Sequence, residues 1–225
     1  METVTSKYVG RTEYSAAWEE QKRFFNALLD AKRNGGGQAE QVLLFVEHPH
    51  VYTLGKSGHA SNLLVDDGFL KRIGATYFHT DRGGDITYHG YGQLVGYPIL
   101  DLERLGTNLK DYIWTIEESV IRTIAEYGIA GGRLAGATGV WIEGDSPRAR
   151  KICAIGVKAS RYVTMHGFAL NVTTDLRYFS YINPCGFVDK GVTSIEKETG
   201  MRPTLEEVAR KFAAHFGQLL RCEVR

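Results

Sequence analysis

Cysteine is scarce in this chain, and the three present do not pair by spacing. Cys153, Cys185 and Cys222 make an odd number with no C-x-x-C arrangement among them. That excludes a disulfide-stapled secreted scaffold and a cysteine-built zinc site, and it fits a reducing compartment. A charge excess is also lacking, with 27 basic residues against 26 acidic ones in 225. Bulk nucleic-acid binding usually needs a strong basic surplus, so no nucleic-acid partner is expected. No run approaches the roughly 18 apolar residues that a membrane-spanning helix requires. The first residues, METVTSKYVG, contain neither an apolar signal core nor an arginine-rich amphipathic stretch. The expectation is a cytoplasmic protein without a membrane. No GxxxxGK[ST] phosphate loop occurs. Glu47, His48 and His50 cluster without the helical spacing of a zinc pair, so no metal is expected.

What is abundant is glycine, at 26 residues, and 43% of the chain is hydrophobic. That is enough for one large core, and the chain is read as a single domain spanning 1–225. Glycine concentrates in Arg82–Pro98, RGGDITYHGYGQLVGYP, which holds five glycines, three tyrosines and one histidine. Its second half runs on as an apolar strand through Leu102. A glycine-rich loop entering a buried strand lets backbone approach a ligand closely. A glycine pair alone is ordinary turn punctuation. The polar aromatic groups beside it favour a binding role.

The periodicities place helices over 14–33, over 67–73 and from Asn108 to about Gly128, with a last one opening at Thr204. Asn108 is a candidate cap with Asp111 at N3, and Thr204 with Glu207 reads as a capping box. Gly35-Gly36-Gly37 stops the first helix. Strands are expected at 42–46, 51–55, 75–79, 93–102, 138–142, 151–155, 157–163 and 166–172. The polar segment Glu143–Arg150 reads as a hairpin connection, and 176–182 as a short helix or turn. Gly131–Gly136 reads equally as a glycine-rich segment facing an anion and as a loop after a helix. Strands come in clusters with helices between them, which predicts an α+β fold of mixed, largely antiparallel sheets flanked by helices.

Two residues stand out chemically. Cys185 lies in Asn-Pro-Cys-Gly, a turn between a rigid proline and a permissive glycine that presents the sulfur at a loop tip. Cys153 alternates with Ile152 and Ala154 and reads as core. A nucleophilic thiol needs a group to take its proton, because the thiolate is the reactive form. His89, His166, Lys151 and Lys158 are all candidates, and spacing does not choose among them.

Four segments occur in order: RGGDITYHGYGQLVGYPILDL (82–102), KICAIGVK (151–158), HGFALNV (166–172) and NPCG (183–186). Together they resemble the lipoyl (octanoyl) transferases. The resemblance implies the α+β catalytic fold shared with lipoate-protein and biotin-protein ligases. It also implies transfer of an octanoyl or lipoyl group without ATP or any other cofactor. Octanoyl-acyl carrier protein is the implied donor. The implied acceptors are lipoyl domains of 2-oxoacid dehydrogenases and the glycine cleavage H protein. A monomer is expected. By this resemblance Cys185 forms the acyl thioester and Lys151, not Lys158, is the base. The substrate would be held by Arg82, Gly83, Gly84, Asp85, Ile86, Thr87, Tyr88 and His89, by a turn at Ala154, Ile155 and Gly156, and by Gly167, Phe168 and Ala169. Backbone N–H groups of that turn, or of Gly186, are candidate oxyanion donors. Tyr88 and Leu94 are candidate walls of an acyl tunnel. Lys56, Lys71, Arg72, Arg82, Arg148, Arg150 and Arg161 are candidates for a basic rim facing acidic partners. Asp85 stands where many members carry glutamine, and Tyr91 where proline is usual. An ATP-using lipoate ligase and a non-catalytic acyl-binding module are the competing expectations.

Overall fold

The computed structural model describes residues 2–35, 39–183 and 190–225. Along the chain run β1 (Thr3–Arg11), α1 (Tyr14–Arg33), β2 (Val42–Glu47), β3 (Val51–Leu54), α2 (Asp67–Arg72), β4 (Thr76–His79), β5 (Thr87–His89) and β6 (Gln93–Ile99). Then follow α3 (Leu109–Ala125), β7 (Gly131–Leu134), β8 (Ala137–Ile142), β9 (Arg150–Ser160) and β10 (Val163–Asn171). The chain closes with β11 (Gly191–Val192), α4 (Ile195–Thr199), α5 (Leu205–Leu220) and β12 (Glu223–Val224).

A large mixed sheet has the order β12-β1-β2-β6-β10-β9-β8-β7, with β11 added beside β9. The pairs from β2 to β7 are antiparallel, and β1 is parallel to both β2 and β12. A second sheet, β4-β3-β5, stands apart. This is the α+β arrangement expected.

The unbroken apolar run of β2 is explained by cover on both faces. Val42, Leu44 and Val46 pack with Phe24, Phe25 and Leu28 of α1. Leu43 and Phe45 point the other way, among Ile116 and Val120 of α3 and Phe212 and Phe216 of α5. Strand alternation sends successive side chains to opposite faces, so a doubly covered strand has no polar positions.

The caps follow local chemistry. The Asn108 side chain accepts from the Asp111 N–H at 3.0 Å, and Thr204 accepts from the Glu207 N–H at 3.2 Å. The return half of the Thr204 box is not made, since Glu207 takes the Tyr127 hydroxyl instead. Gly35 has φ 65° just past α1. The other two glycines expected to stop that helix lie outside the described residues.

Several expectations are corrected. Residues 154–156 form no turn, because they lie inside β9, where Ala154 pairs with Ala169 and Gly156 with Gly167. The strands read at 157–163 and 166–172 are one long hairpin. It reverses at Arg161 and Tyr162, both at positive φ (49° and 63°), the pattern of a two-residue type I′ turn. Neither residue is a usual turn former, which hid the reversal. Gly131–Leu134 is an edge strand, not a loop. β1 was not foreseen.

Candidate active site

The connection between β4 and β5 of the small sheet, which carries Arg82 to Ile86, meets the large sheet at β9. The Gly83 N–H donates to the Val157 carbonyl at 2.8 Å. This close approach needs glycine at 156, where a Cβ would lie 2.9 Å from the Gly83 carbonyl oxygen, and is tight at 83, where a Cβ would lie 3.2 Å from the Val157 carbonyl oxygen. Between the sheets lies a cavity of about 930 Å³, within the size range of small-molecule sites. Its apolar walls include Val95, Ile155, Phe168, Ala169 and Ile182, and Lys151 stands on its wall.

Of the expected substrate residues, Arg82, Gly84, Asp85, Ile86, Thr87, His89, Ala154, Ile155, Gly156, Gly167, Phe168 and Ala169 all line this space. Gly83 instead braces β9. Tyr88 and Leu94 are not walls. Tyr88 is fully buried in the cluster under the small sheet, donates its hydroxyl to His50 Nδ1 at 2.7 Å and stacks on Tyr178. Leu94 faces the α3–α5 core. Arg82 is buried rather than on a rim, with its guanidinium donating to the Thr53 hydroxyl and carbonyl and to the Gly83 carbonyl. Arg148 pairs with Glu143 at 2.8 Å and Arg150 with Glu198 at 2.6 Å. Lys56, Lys71, Arg72 and Arg161 are exposed. Asp85 accepts from Asn62 Nδ2 at 2.9 Å and caps its own loop through the Ile86 N–H at 2.6 Å. Tyr91 packs edge-on against His50, with the Arg11 guanidinium over its ring.

The proton-transfer candidates separate by environment. His89 is buried, donates Nδ1–H to Gln93 Oε1 at 2.8 Å, and is held neutral with its pKa lowered to about 3, chiefly by burial. His166 donates Nε2–H to Asp81 at 2.8 Å, while Lys158 donates to the other Asp81 oxygen at 2.6 Å. Those hydrogen bonds, with His166 first, pull the Asp81 carboxyl well below the usual carboxylate range. Lys158 is therefore committed to a carboxylate. Lys151 is half-buried beside the apolar wall, and its Nζ donates to the Thr138 carbonyl at 3.2 Å and lies 4.6 Å from the centre of the Trp141 ring. Burial lowers its pKa, opposed by Cys153 and Glu117. A depressed amine pKa enlarges the neutral fraction that can accept a proton. Cys153 is fully buried and burial pushes its thiol up, as a core residue requires. Cys185 and Gly186 lie outside the described residues. Asn183 and Lys190, the described residues on either side of that segment, both line the cavity.

The lipoyl protein ligase A/B catalytic domain matches residues 13–217. The chain belongs to this family. Within it, the octanoyltransferase of Bacteroides fragilis is 59% identical over 211 residues, covering 94% of this chain and 95% of that one. The octanoyltransferase of Flavobacterium psychrophilum is 51% identical over 228 residues, covering 99% and 98%. Full-length similarity of this kind makes the chain a transferase of the lipoyl ligase family, in its octanoyltransferase group. Among solved structures, lipoate-protein ligase A bound with ATP superposes with a TM-score of 0.70 at 17% identity, covering all of this chain and 88% of that one. Biotin protein ligase from Aquifex aeolicus gives a TM-score of 0.51 at 12% identity, covering 98% and 69%. These last two similarities concern the fold. No described helix is long and apolar enough to cross a membrane.

The sequence reading of this family member missed Tyr14, Gln93, Tyr97, Trp141 and Asn171 on the cavity wall. Gln93 and Asn171 carried a signal, being polar residues at the ends of apolar strands. They bond to each other at 2.9 Å across the β6–β10 pair. Tyr14 and Trp141 look like ordinary core aromatics and carried none.

Proposed function

We propose that the chain transfers an octanoyl group to a lipoyl-domain lysine in two steps through an acyl-Cys185 thioester, with Lys151 moving the protons. The observation that carries this reading is the Lys151 amine on the wall of a largely apolar cavity, with Asn183 and Lys190 lining the same space.

In the first step the neutral Lys151 amine takes the Cys185 thiol proton. The thiolate attacks the donor thioester carbonyl, the C–S bond to the carrier breaks, and the Lys151 ammonium returns the proton to the departing thiolate. One thioester replaces another, so the exchange is nearly isoenergetic and needs no ATP. In the second step the acceptor amine attacks the acyl-cysteine, Lys151 takes a proton from the attacking nitrogen, and the Cys185 thiolate leaves and is reprotonated. Conversion of thioester to amide drives the sequence forward. Burying the eight-carbon chain against Val95, Ile155, Phe168, Ala169 and Ile182 contributes about 0.8 kcal/mol per CH2. Arg82 to His89, apart from Gly83 and Tyr88, contributes the opposite wall.

The reading extends to octanoyl-acyl carrier protein as donor, and to lipoyl domains of 2-oxoacid dehydrogenases and the glycine cleavage H protein as acceptors. It places the chain as a monomer in the cytoplasm. The test is intact mass after mixing with octanoyl carrier protein without ATP. An octanoyl adduct that is absent in Cys185→Ser, and that moves to an added lipoyl domain, is expected. An adduct on another residue, no adduct, or a requirement for ATP overturns it.

A further inference from the structure

Lys151 is shaped as much by the neighbouring strand as by its own. β8 pairs with β9 through Val140–Cys153 and Trp141–Lys151, so one step on β8 spans two on β9, and Ile152 is the extra residue of a bulge. Bulges re-aim side chains, and here Lys151 is set opposite Trp141. Between the two β8 groups that meet the amine, the Thr138 carbonyl and the Trp141 ring, stands Gly139 at φ 123°. A Cβ there would lie 2.5 Å from the Cys153 carbonyl oxygen and 3.5 Å from Lys151 Cε. The backbone at this point is strained for any other residue, crowded against the Cys153 carbonyl and in contact with the lysine stem.

Something must hold such a backbone in place. Glu117 of α3 does so from behind β8. Its side chain is buried, one carboxylate oxygen accepts the Gly139 N–H at 3.0 Å, and the other accepts Arg133 Nε at 2.9 Å. Arg133 is in turn shared with Glu118 at 3.0 Å. We propose that Glu117 is a positioning residue for Lys151: through Gly139 it holds the Thr138 carbonyl against the Lys151 amine, and it sets one negative charge behind that amine. The inference rests on Lys151 being the proton-transfer group of the reaction.

Among the described residues, Glu117 of α3 and Cys153 of its own strand act on the Lys151 amine, Arg133 of β7 pairs with Glu117, and Lys190 lines the same cavity. Glu117 favours the protonated amine against burial. Removing its charge leaves Arg133 less compensated, and both changes push Lys151 towards the neutral form. The carboxylate thus keeps the amine able to give a proton back as well as take one.

The experiment reads Lys151 directly. The pH dependence of acetic anhydride labelling is followed peptide by peptide in the parent, Glu117→Gln and Glu117→Ala, with Lys158 as internal reference. Glu117→Gln keeps the shape and an oxygen to accept from Gly139 but removes the charge. It is expected to move the Lys151 labelling midpoint to lower pH by about half a unit or more, with Lys158 unmoved. Glu117→Ala is expected to add a loss in kcat of about tenfold with KM within twofold, which Glu117→Gln partly restores. An unshifted Lys151 midpoint in Glu117→Gln, or an equal shift at Lys158, overturns the inference. An active Lys151→Ala variant overturns the role of Lys151 instead, and leaves the labelling result to stand by itself.

Discussion

Lys158 donates to Asp81 across 2.6 Å, whereas Lys151, on the same strand, donates to a main-chain carbonyl. The two amines look alike in the sequence and differ in what holds them. Replacing Lys151 with alanine is therefore expected to slow both acylation and transfer by about 10²-fold or more, the usual scale for a lost proton-transfer group. Lys158→Ala is expected to stay within about threefold in rate, since Asp81 keeps His166 and a partly exposed pair contributes about 1 kcal/mol or less. Single-turnover acyl transfer by the two variants checks this, and equal losses would reverse the assignment.

The contact of Gly156 with the Arg82 segment sets the cavity wall. A methyl group at 156 would meet the Gly83 carbonyl at 2.9 Å and Arg82 Cδ at 3.2 Å. Gly156→Ala is expected to lower kcat/KM about tenfold or more, mainly through KM, because a pocket misfit of one methyl costs about 1–3 kcal/mol. Steady-state kinetics with the octanoyl donor decide it, and a variant changed only in kcat would contradict this account.

Thiol chemistry separates the cysteines. Cys153 is enclosed in the α3–α5 core and its thiol is held protonated. Maleimide labelling of the folded protein is expected to leave Cys153 unmodified, and unfolding is expected to expose it. Cys153→Ala is expected to retain the octanoyl adduct while lowering stability by about 1–2 kcal/mol. Loss of the adduct in that variant would count against Cys185.

Two buried histidines make stability fall with acid. His48 donates Nδ1–H to the Thr12 carbonyl and accepts the Tyr97 hydroxyl at Nε2, both at 2.7 Å, and burial lowers its pKa to about 4. His89 is lowered to about 3. In the unfolded chain both titrate near about 6.5, so below that pH the unfolded state binds protons that the folded state refuses. Stability is expected to be fully present above about pH 7 and to fall between about pH 6.5 and 4, by up to about 1.4 kcal/mol per pH unit for each histidine. Urea denaturation across that range checks it, and His48→Gln is expected to flatten the slope.

Much of the fold was legible because it is written in local periodicity and capping. The stripe of α1, the caps Asn108 and Thr204, and the doubly buried run of β2 need no knowledge of distant residues. The Arg161–Tyr162 reversal was not legible, since those residues reach positive φ under the direction of the β9–β10 pairing rather than their own preference. β1 was missed because it pairs in parallel with β2 and gains its apolar cover from elements far along the chain.

The sequence by itself determined the helices other than α4 and most strands, the core role of Cys153, and the family, through four motifs in order. Through that resemblance it also named many residues of the cavity wall, among them Arg82, Ile155 and Phe168, but not Tyr14, Gln93, Tyr97, Trp141 or Asn171. Tertiary structure decided that Lys158 is tied to Asp81 while Lys151 donates to the Thr138 carbonyl, that Tyr88 and Leu94 belong to the cores rather than the cavity, and that Glu117 braces Lys151 from behind the sheet. Those distinctions depend on distances between residues far apart in sequence and on the burial that shifts a proton's equilibrium. Neither is carried by the order of residues until the sheet brings them together.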